Sequence, residues 1–576
     1  MARETVAALG GRLIFARMLS SLSSLSQRTH ILLLVGLAFF TYAGTLGNAF
    51  VFDDTSVVRD NKAFLLGDLS TLLVSDYWAG YHGDQSGLYR PLTMLSYALQ
   101  LRMGSTEPLP YHLINCLLHA ACAAVLYLLV RQWSSVPSTT FLAAALFAVH
   151  PAYSESICTV VGRADLMAAA FCLLAILFHI QSTPRYAAGT SLCIALALLC
   201  KESAIALLAL LPLVDLFQYR SFSRKCYSRS YLAYAAVVVL YLALRYRVLG
   251  AWTIGHIDPF DNPLVDATGP MRLYDALAIA CRYVGLMIFP AHLSADYSHA
   301  ALPLSTHVSA VQLSALVSGC AALGSLLYWG FIRNPLFFLG LGWFCLAFAP
   351  VSNLFFPIGT IMAERILYLP AIGFCIALTV LLQHIRRGAP LIGLALVALL
   401  AVRSAARTQD WRDELSLFTA TAQTQPQSAR AWRGLGLAAL ERNQLDLGRT
   451  HLQRALDIYP GYYEVYADLA QHALSKGQPA LARRHLARCL ELRADYTPAW
   501  FSLGVALYHL GENDQAVRAF EQALKLDPHY AEAMYNMGVI ALESGQRVRA
   551  LSLFERTLAL APNHTNARIN LNALKK

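Results

Sequence analysis

Residues 495–528 read DYTPAWFSLGVALYHLGENDQAVRAFEQALKLDP, a stretch of thirty-four residues closing on Pro528. Trp500 and Gly504 fall on one face of a first helical segment, Gly511 marks a turn, and Ala516 and Phe520 fall on one face of a second. Steps of thirty-four residues in either direction reach Pro426, Pro460 and Pro562, with Ala494 at the one place without proline. Ten residues after each grid point stand Gly436, Ala470, Gly504 and Gly538, small enough for two helices to approach closely. Six residues after it stand Trp432, Tyr466, Trp500 and Met534, which fill the space beside them. The turn carries Asn443, Gly477, Gly511 and Gly545, the residue types that tolerate a left-handed backbone. The second helix repeats Gly448, Ala482, Ala516 and Ala550, then Leu452, Leu486, Phe520 and Phe554.

Thirty-four residues is the period of the tetratricopeptide repeat (TPR), a helical hairpin that buries its apolar face only by stacking on its neighbours. Four repeats are expected, at 427–460, 461–494, 495–528 and 529–562. A linker and half-repeat at 404–426 precede them, and a capping helix at 563–576 follows. Such an array forms a groove that holds extended peptide, and Asn443, Tyr466 and Asn536 are the candidates for contacting it. Asn563-His564-Thr565 is a glycosylation sequon, usable only if the array lies outside the cytosol.

Upstream the composition changes. Across 576 residues, 57% are hydrophobic and 14% charged, against about 45–50% and 25% in soluble domains. The excess lies in residues 30–403. Eleven segments suit membrane spans of roughly 20 apolar residues: 31–48, 110–131, 139–156, 163–181, 186–200, 203–219, 230–249, 309–331, 335–352, 364–383 and 388–403. The first is read as a retained signal-anchor after a cytosolic segment 1–30. The stretch 272–290 is apolar but holds Arg272, Asp275 and Arg282, and is read as non-spanning. The fold expected is all-α: a polytopic bundle of about eleven transmembrane helices over 31–403, followed by a TPR solenoid.

A net charge of +10 is compatible with nucleic acid, but the basic residues sit in short loops between apolar runs, where topology accounts for them. No nucleic-acid partner is expected. With the N-terminus in the cytosol, 1–30, Arg131, Arg185, the stretch 220–229, Arg333 and Arg386–Arg387 all fall on the cytosolic side. The loops at 48–110, 150–162, 200–203, 250–308 and 353–364, and the repeat array, then share the opposite side. The twelve cysteines show no CxxC or His/Cys ligand cluster, so they read as small buried hydrophobes and no metal site is expected.

The same non-cytosolic loops hold unusual polar residues: Asp53-Asp54, Arg90, His150 with Glu155, Arg163 with Asp165, Lys201-Glu202 and Glu364-Arg365. Charges at a membrane boundary need a partner or a function. Glu202 and Glu364, each beside a cation in sequence, suit ion pairs that lock helices. Asp53 and Asp54 have no adjacent cation before Arg59, and packing does not call for them. One carboxylate at a membrane boundary can act as general base toward a hydroxyl, while Arg and Lys hold a phosphate. A lipid-linked phosphosugar would bring sugar and leaving group together.

Phe52-Asp53-Asp54, Tyr89-Arg90-Pro91-Leu92-Thr93, Tyr111-His112-Leu113-Ile114-Asn115, His150-Pro151 with Glu155, Val161-Gly162-Arg163-Ala164-Asp165, Lys201-Glu202-Ser203, Ala363-Glu364-Arg365-Ile366-Leu367-Tyr368-Leu369-Pro370 and Asp410-Trp411-Arg412-Asp413-Glu414-Leu415 occur in this order. Together they resemble the transmembrane and TPR repeat-containing O-mannosyltransferases. The resemblance implies a GT-C glycosyltransferase of the endoplasmic reticulum membrane. It implies dolichyl-phosphate mannose as donor, Ser/Thr of secretory-pathway proteins such as cadherin-like domains as acceptor, and no metal or other cofactor. It implies Asp53, aligned with the first acid of the GT-C pair, as base, with Asp54 positioning the loop or the acceptor. Arg90, Arg163, Lys201, Arg365, Glu155 and His150 are then the candidates around the donor phosphate and sugar. The alternatives are a membrane-anchored TPR adaptor or chaperone, which needs no cluster of acids and cations on one face, and a transporter, which would place charges in broken helices at mid-membrane.

Overall fold

A computed structural model describes residues 25–575 apart from 62–63, 65–68, 79–86, 182, 220–223, 253–256, 306 and 386–388. Arg3, Arg12 and Arg17, most of the basic stretch 220–229 and the pair Arg386–Arg387 lie outside the described residues or have undescribed side chains. The chain divides into two compact units, Met1–Pro426 and Gln427–Lys576. All regular structure among the described residues is helical.

The first unit is a bundle whose helices start where the sequence presets them. Proline occupies the first turn of Pro91–Arg102, Pro108–Trp133, Pro137–Val149, Pro184–Cys200 and Pro335–Phe348, where its missing N–H costs nothing. Ser309 and Gln312 close a capping box on Ala310–Arg333. Among the described residues, seven helices are long and apolar enough to cross a membrane: Gln27–Gly47, Pro108–Trp133, Glu202–Tyr219, Ser230–Leu249, Ala310–Arg333, Glu364–Gln383 and Leu391–Asp410. Pro137–Val149, Arg185–Cys200 and Pro335–Val351 are shorter apolar helices. No residue in the apolar window of Ala310–Arg333 is buried within the protein. Its apolar side chains, Val311, Val317 and Tyr328 among them, are therefore exposed around the helix, as suits contact with lipid.

Several boundaries differ from the sequence reading. The segment 139–156 is not one helix: it ends at Val149, turns through Pro151–Tyr153 and makes a single turn at Glu155–Cys158, because Pro151 cannot continue the ladder. The segment 163–181 is the helix Arg163–His179, outside the seven, with Arg163 and Asp165 in its first turn. The stretch 272–290 is a helix, Gly269–Ile288, also outside the seven. The last helix runs from Ala389 to Asp410, so 404–410 is helix rather than linker. The half-repeat is one helix, Glu414–Thr424, capped by Asp413.

A close approach joins Pro335–Phe348 to Tyr368–Gln383. A Cβ at Gly373 would collide with the backbone of Gly340 and Phe344, and one at Gly340 would stand 2.7 Å from Ala377 N. Small residues permit such contact where lipid offers no hydrophobic drive.

The second unit consists of antiparallel helix pairs: Ala429–Glu441 with Leu445–Ile458, Tyr463–Ser475 with Pro479–Leu492, Thr497–His509 with Asn513–Leu526, and Ala531–Glu543 with Arg547–Leu560. Thr565–Lys575 follows. Gly436 faces Leu452, Gly504 faces Phe520 and Gly538 faces Phe554, each too close for a further carbon without a shift. Asn443, Gly477, Gly511 and Gly545 all have positive φ, between 60° and 77°. Asn443 thus occupies the turn, as the asparagine solution to a left-handed position. Tyr466 donates from its hydroxyl to Pro460 O at 3.3 Å, and the equivalent Trp500 donates to Ala494 O at 2.8 Å, so in the second and third repeats this position ties the repeat to the preceding turn. Asn536 is half-buried.

Candidate active site

The five polar loops meet at one end of the bundle. Val161 N donates to Asp54 Oδ1 at 2.9 Å, linking the first loop to the second. Tyr89 N donates to Glu202 Oε1 at 3.3 Å, linking the first to the third. Asn262 donates to Asn353 at 2.9 Å, and Tyr283 OH to Ala363 O at 3.1 Å, joining the fourth to the fifth. Arg365 N donates to Glu155 Oε2 at 2.9 Å, joining the fifth to the second.

Asp53 follows Phe52, whose φ of 56° is left-handed. That conformation costs a non-glycine residue on the order of 1–2 kcal/mol. Thr55 Oγ1 donates to Phe52 O at 2.9 Å and Asp54 N to Val51 O at 3.1 Å, closing a tight turn. Its two acids then face different surroundings. Asp53 is 26% exposed, with Oδ2 3.7 Å from Arg365 Nη1. Asp54 is fully enclosed and bound by the loop backbone. Burial pushes its pKa up to about 7; the backbone N–H groups of Val160, Val161 and Val51 oppose the rise and the charge of Asp53 adds to it.

Three ion pairs gather at this end of the bundle, and one of them touches Asp53. Arg365 Nη1 lies 2.6 Å from Glu155 Oε1, Lys201 Nζ 2.6 Å from Asp165 Oδ1, and Arg90 Nη2 3.0 Å from Glu202 Oε2. Burial pushes the Lys201 ammonium below its ordinary pKa; Asp165 opposes this, and the nearby charges of Arg90 and Arg365 press the same way. Arg90, Lys201 and Arg365 therefore share one electrostatic neighbourhood. Arg365 is 29% exposed and Glu155 2%, so the acid serves as the inner support of the arginine.

Two of the expected residues stand apart. Arg163 is 1% exposed, donates to Asn115 Oδ1 at 3.1 Å and Tyr111 O at 3.2 Å, and lies against the rings of Tyr97 and Tyr111. It braces the protein interior instead of facing an open site. His150 is also buried: Nε2 pairs with Met287 O at 2.9 Å and Nδ1 accepts from Ala152 N at 3.2 Å, so both nitrogens are occupied. Asp165 and Glu202, by contrast, belong to the assembled cluster, although sequence adjacency gave Glu202 to Lys201. Among the described residues no group of three or more His, Cys, Asp or Glu side chains could hold a metal ion. The described cysteines are all free, and eight of the eleven are buried.

The arrangement offers a partly exposed carboxylate, Asp53, beside Arg365, with Lys201 and Arg90 held nearby by their own acids. It can take a proton and stabilise an anion at adjacent points.

Tetratricopeptide repeat family models match residues 507–570, and 399–463 with 467–517. The chain is 27% identical to protein O-mannosyl-transferase TMTC3 of Homo sapiens, over 75% of its own length and 51% of that protein. It is 25% identical to protein O-mannosyl-transferase F38B6.6 of Caenorhabditis elegans, over 75% of itself and 63% of that protein. With protein O-mannosyl-transferase TMTC2 of Mus musculus the identity is 27%, over 73% and 61%. The chain thus spans about half to two-thirds the length of these relatives. Among solved structures, that of YrrB, a TPR protein, is 24% identical, covers 31% of this chain and 88% of that chain, and has a TM-score of 0.25. Over about three quarters of its length, then, this helical protein with apolar helices and a tetratricopeptide repeat array is similar to proteins named protein O-mannosyl-transferases.

Proposed function

We propose that the chain transfers mannose from dolichyl-phosphate mannose to Ser/Thr hydroxyls of secretory-pathway proteins, cadherin-like domains among them, at the endoplasmic reticulum membrane. The observation that carries this reading is the pairing of a partly exposed Asp53 with Arg365 where the first, second and fifth loops meet, in a chain similar to protein O-mannosyl-transferases. Asp53 takes the proton from the acceptor hydroxyl as its oxygen bonds to the anomeric carbon. The bond from that carbon to the phosphate oxygen breaks, and dolichyl phosphate leaves as an anion needing no separate acid. Arg365, Lys201 and Arg90 stabilise the charge growing on the phosphate, Arg by bidentate geometry. No metal or cofactor enters the scheme. The repeat array presents the acceptor polypeptide, and lies in the lumen.

The test is transfer of labelled mannose by purified full-length protein to acceptor domains, wild type against Asp53→Asn. Asparagine keeps shape and hydrogen bonding but takes no proton. Turnover should drop roughly 10²–10⁴-fold with donor binding intact. Near-normal transfer by Asp53→Asn removes Asp53 as the base. No transfer by the wild type to any secretory acceptor turns the assignment toward a membrane-anchored adaptor.

A further inference from the structure

The turn that carries Asp53 is restrained from a point 362 residues further along the chain. Phe52, at φ 56°, donates its N–H to Glu414 Oε1 at 2.9 Å and sets its ring edge-on to Phe418 at 6.2 Å. Just before it, Ala49 N donates to Arg412 O at 2.9 Å, and Asn48 Nδ2 donates to Thr408 O at 3.2 Å. The accepting side is itself firm. Asp413 Oδ1 accepts from Ser416 N at 2.8 Å to start the helix Glu414–Thr424, while Trp411 and Leu417 are fully buried in the bundle core. The half-repeat helix is therefore a buttress against the first loop.

We propose that Glu414 is a positioning residue for the transfer step: by accepting the Phe52 N–H it maintains the left-handed turn that aims Asp53 at Arg365. This rests on the reading of Asp53 as the base. A phenylalanine released from this restraint relaxes toward negative φ, and rotation there swings the Cα–Cβ bond of the next residue. Asp54 is secured separately by Val161 N, so the loop stays folded while Asp53 moves out of register. Misplacement by about 1 Å can cost on the order of 10²-fold in rate.

The experiment compares full-length wild type, Glu414→Ala and Glu414→Gln in mannose transfer, and follows amide hydrogen exchange over residues 48–55. Glutamine presents an oxygen to the same N–H and should keep most of the turnover. Glu414→Ala should lose of the order of 10–100-fold in kcat, keep the donor KM, and exchange faster at residues 48–55. Wild-type turnover in Glu414→Ala, an equal loss in Glu414→Gln, or a loss confined to KM overturns the proposal. If the wild type itself transfers no mannose, the reading of Asp53 fails on its own account. The exchange comparison then decides whether Glu414 holds the turn, and equal rates in wild type and Glu414→Ala overturn that.

Discussion

Asp54 sits out of water with its two oxygens turned to the backbone of residues 51 and 161, and its pKa near 7 has a thermodynamic consequence. Between pH 4 and 7 the folded chain binds more protons at this site than the unfolded chain, whose aspartate titrates at 3.8. Stability contributed by the protonated carboxyl is complete below that unfolded value and is lost as pH rises through about 7. Asp54→Asn keeps an oxygen for Val161 N and carries no charge to desolvate. Thermal unfolding of the purified protein in detergent should show a smaller decline from pH 4 to 7 in Asp54→Asn than in wild type. An unchanged slope would mean that Asp54 is not the group responsible. Asp53, one residue away, is partly in water and lies 3.7 Å from Arg365. Adjacent acids with unlike surroundings can divide a structural task from a chemical one.

At the scale of elements, the pair Pro335–Phe348 and Tyr368–Gln383 depends on two glycines facing one another. The atoms a Gly373 side chain would strike are the backbone of Gly340 and Phe344 and the Cβ of Trp343, none of which a rotamer change can move, so the helices must separate. Gly373→Ala should destabilise the bundle by about 1–3 kcal/mol, the usual cost of overpacking. Gly319→Ala, on the exposed helix Ala310–Arg333 with nothing within 4 Å, serves as the control and should be neutral or mildly stabilising. Comparing the two melting curves in the same detergent checks the contact. Equal melting temperatures would mean that the two helices pack less closely. The repeats depend on the same device, with Gly504 under Phe520 and Gly538 under Phe554, but there the obstructing atoms belong to side chains.

For the whole molecule, sidedness follows from charge rather than packing. If the basic loops are cytosolic, acceptor sites for N-glycosylation placed near residues 85 and 480 should both be modified in microsomes. Modification of one alone would break the eleven-span topology. The seven long apolar helices and three shorter ones leave Arg163–His179 as the element whose crossing most needs this test, since its first turn holds Arg163 and Asp165.

The sequence by itself determined the elements. A 34-residue period, glycine at three of four turns and proline at helix starts are local signals, and local hydrogen bonding and steric exclusion suffice to produce hairpins and helices from them. It also named the charged residues that gather at one end of the bundle. Only the tertiary structure decided how they pair. Lys201 and Glu202 are neighbours in sequence, yet Lys201 goes to Asp165 and Glu202 to Arg90. Glu364 and Arg365 are neighbours, yet Glu364 meets Arg407 at 3.6 Å while Arg365 meets Glu155 and Asp53. Arg163 and His150 stood beside the others in the motifs but turned inward, and Glu414, quoted there without a role, reached back to the first loop. In short turns, successive side chains point in different directions, so adjacency along the chain does not make partners. Which residues meet depends on how helices far apart in sequence pack, and no local pattern encodes that.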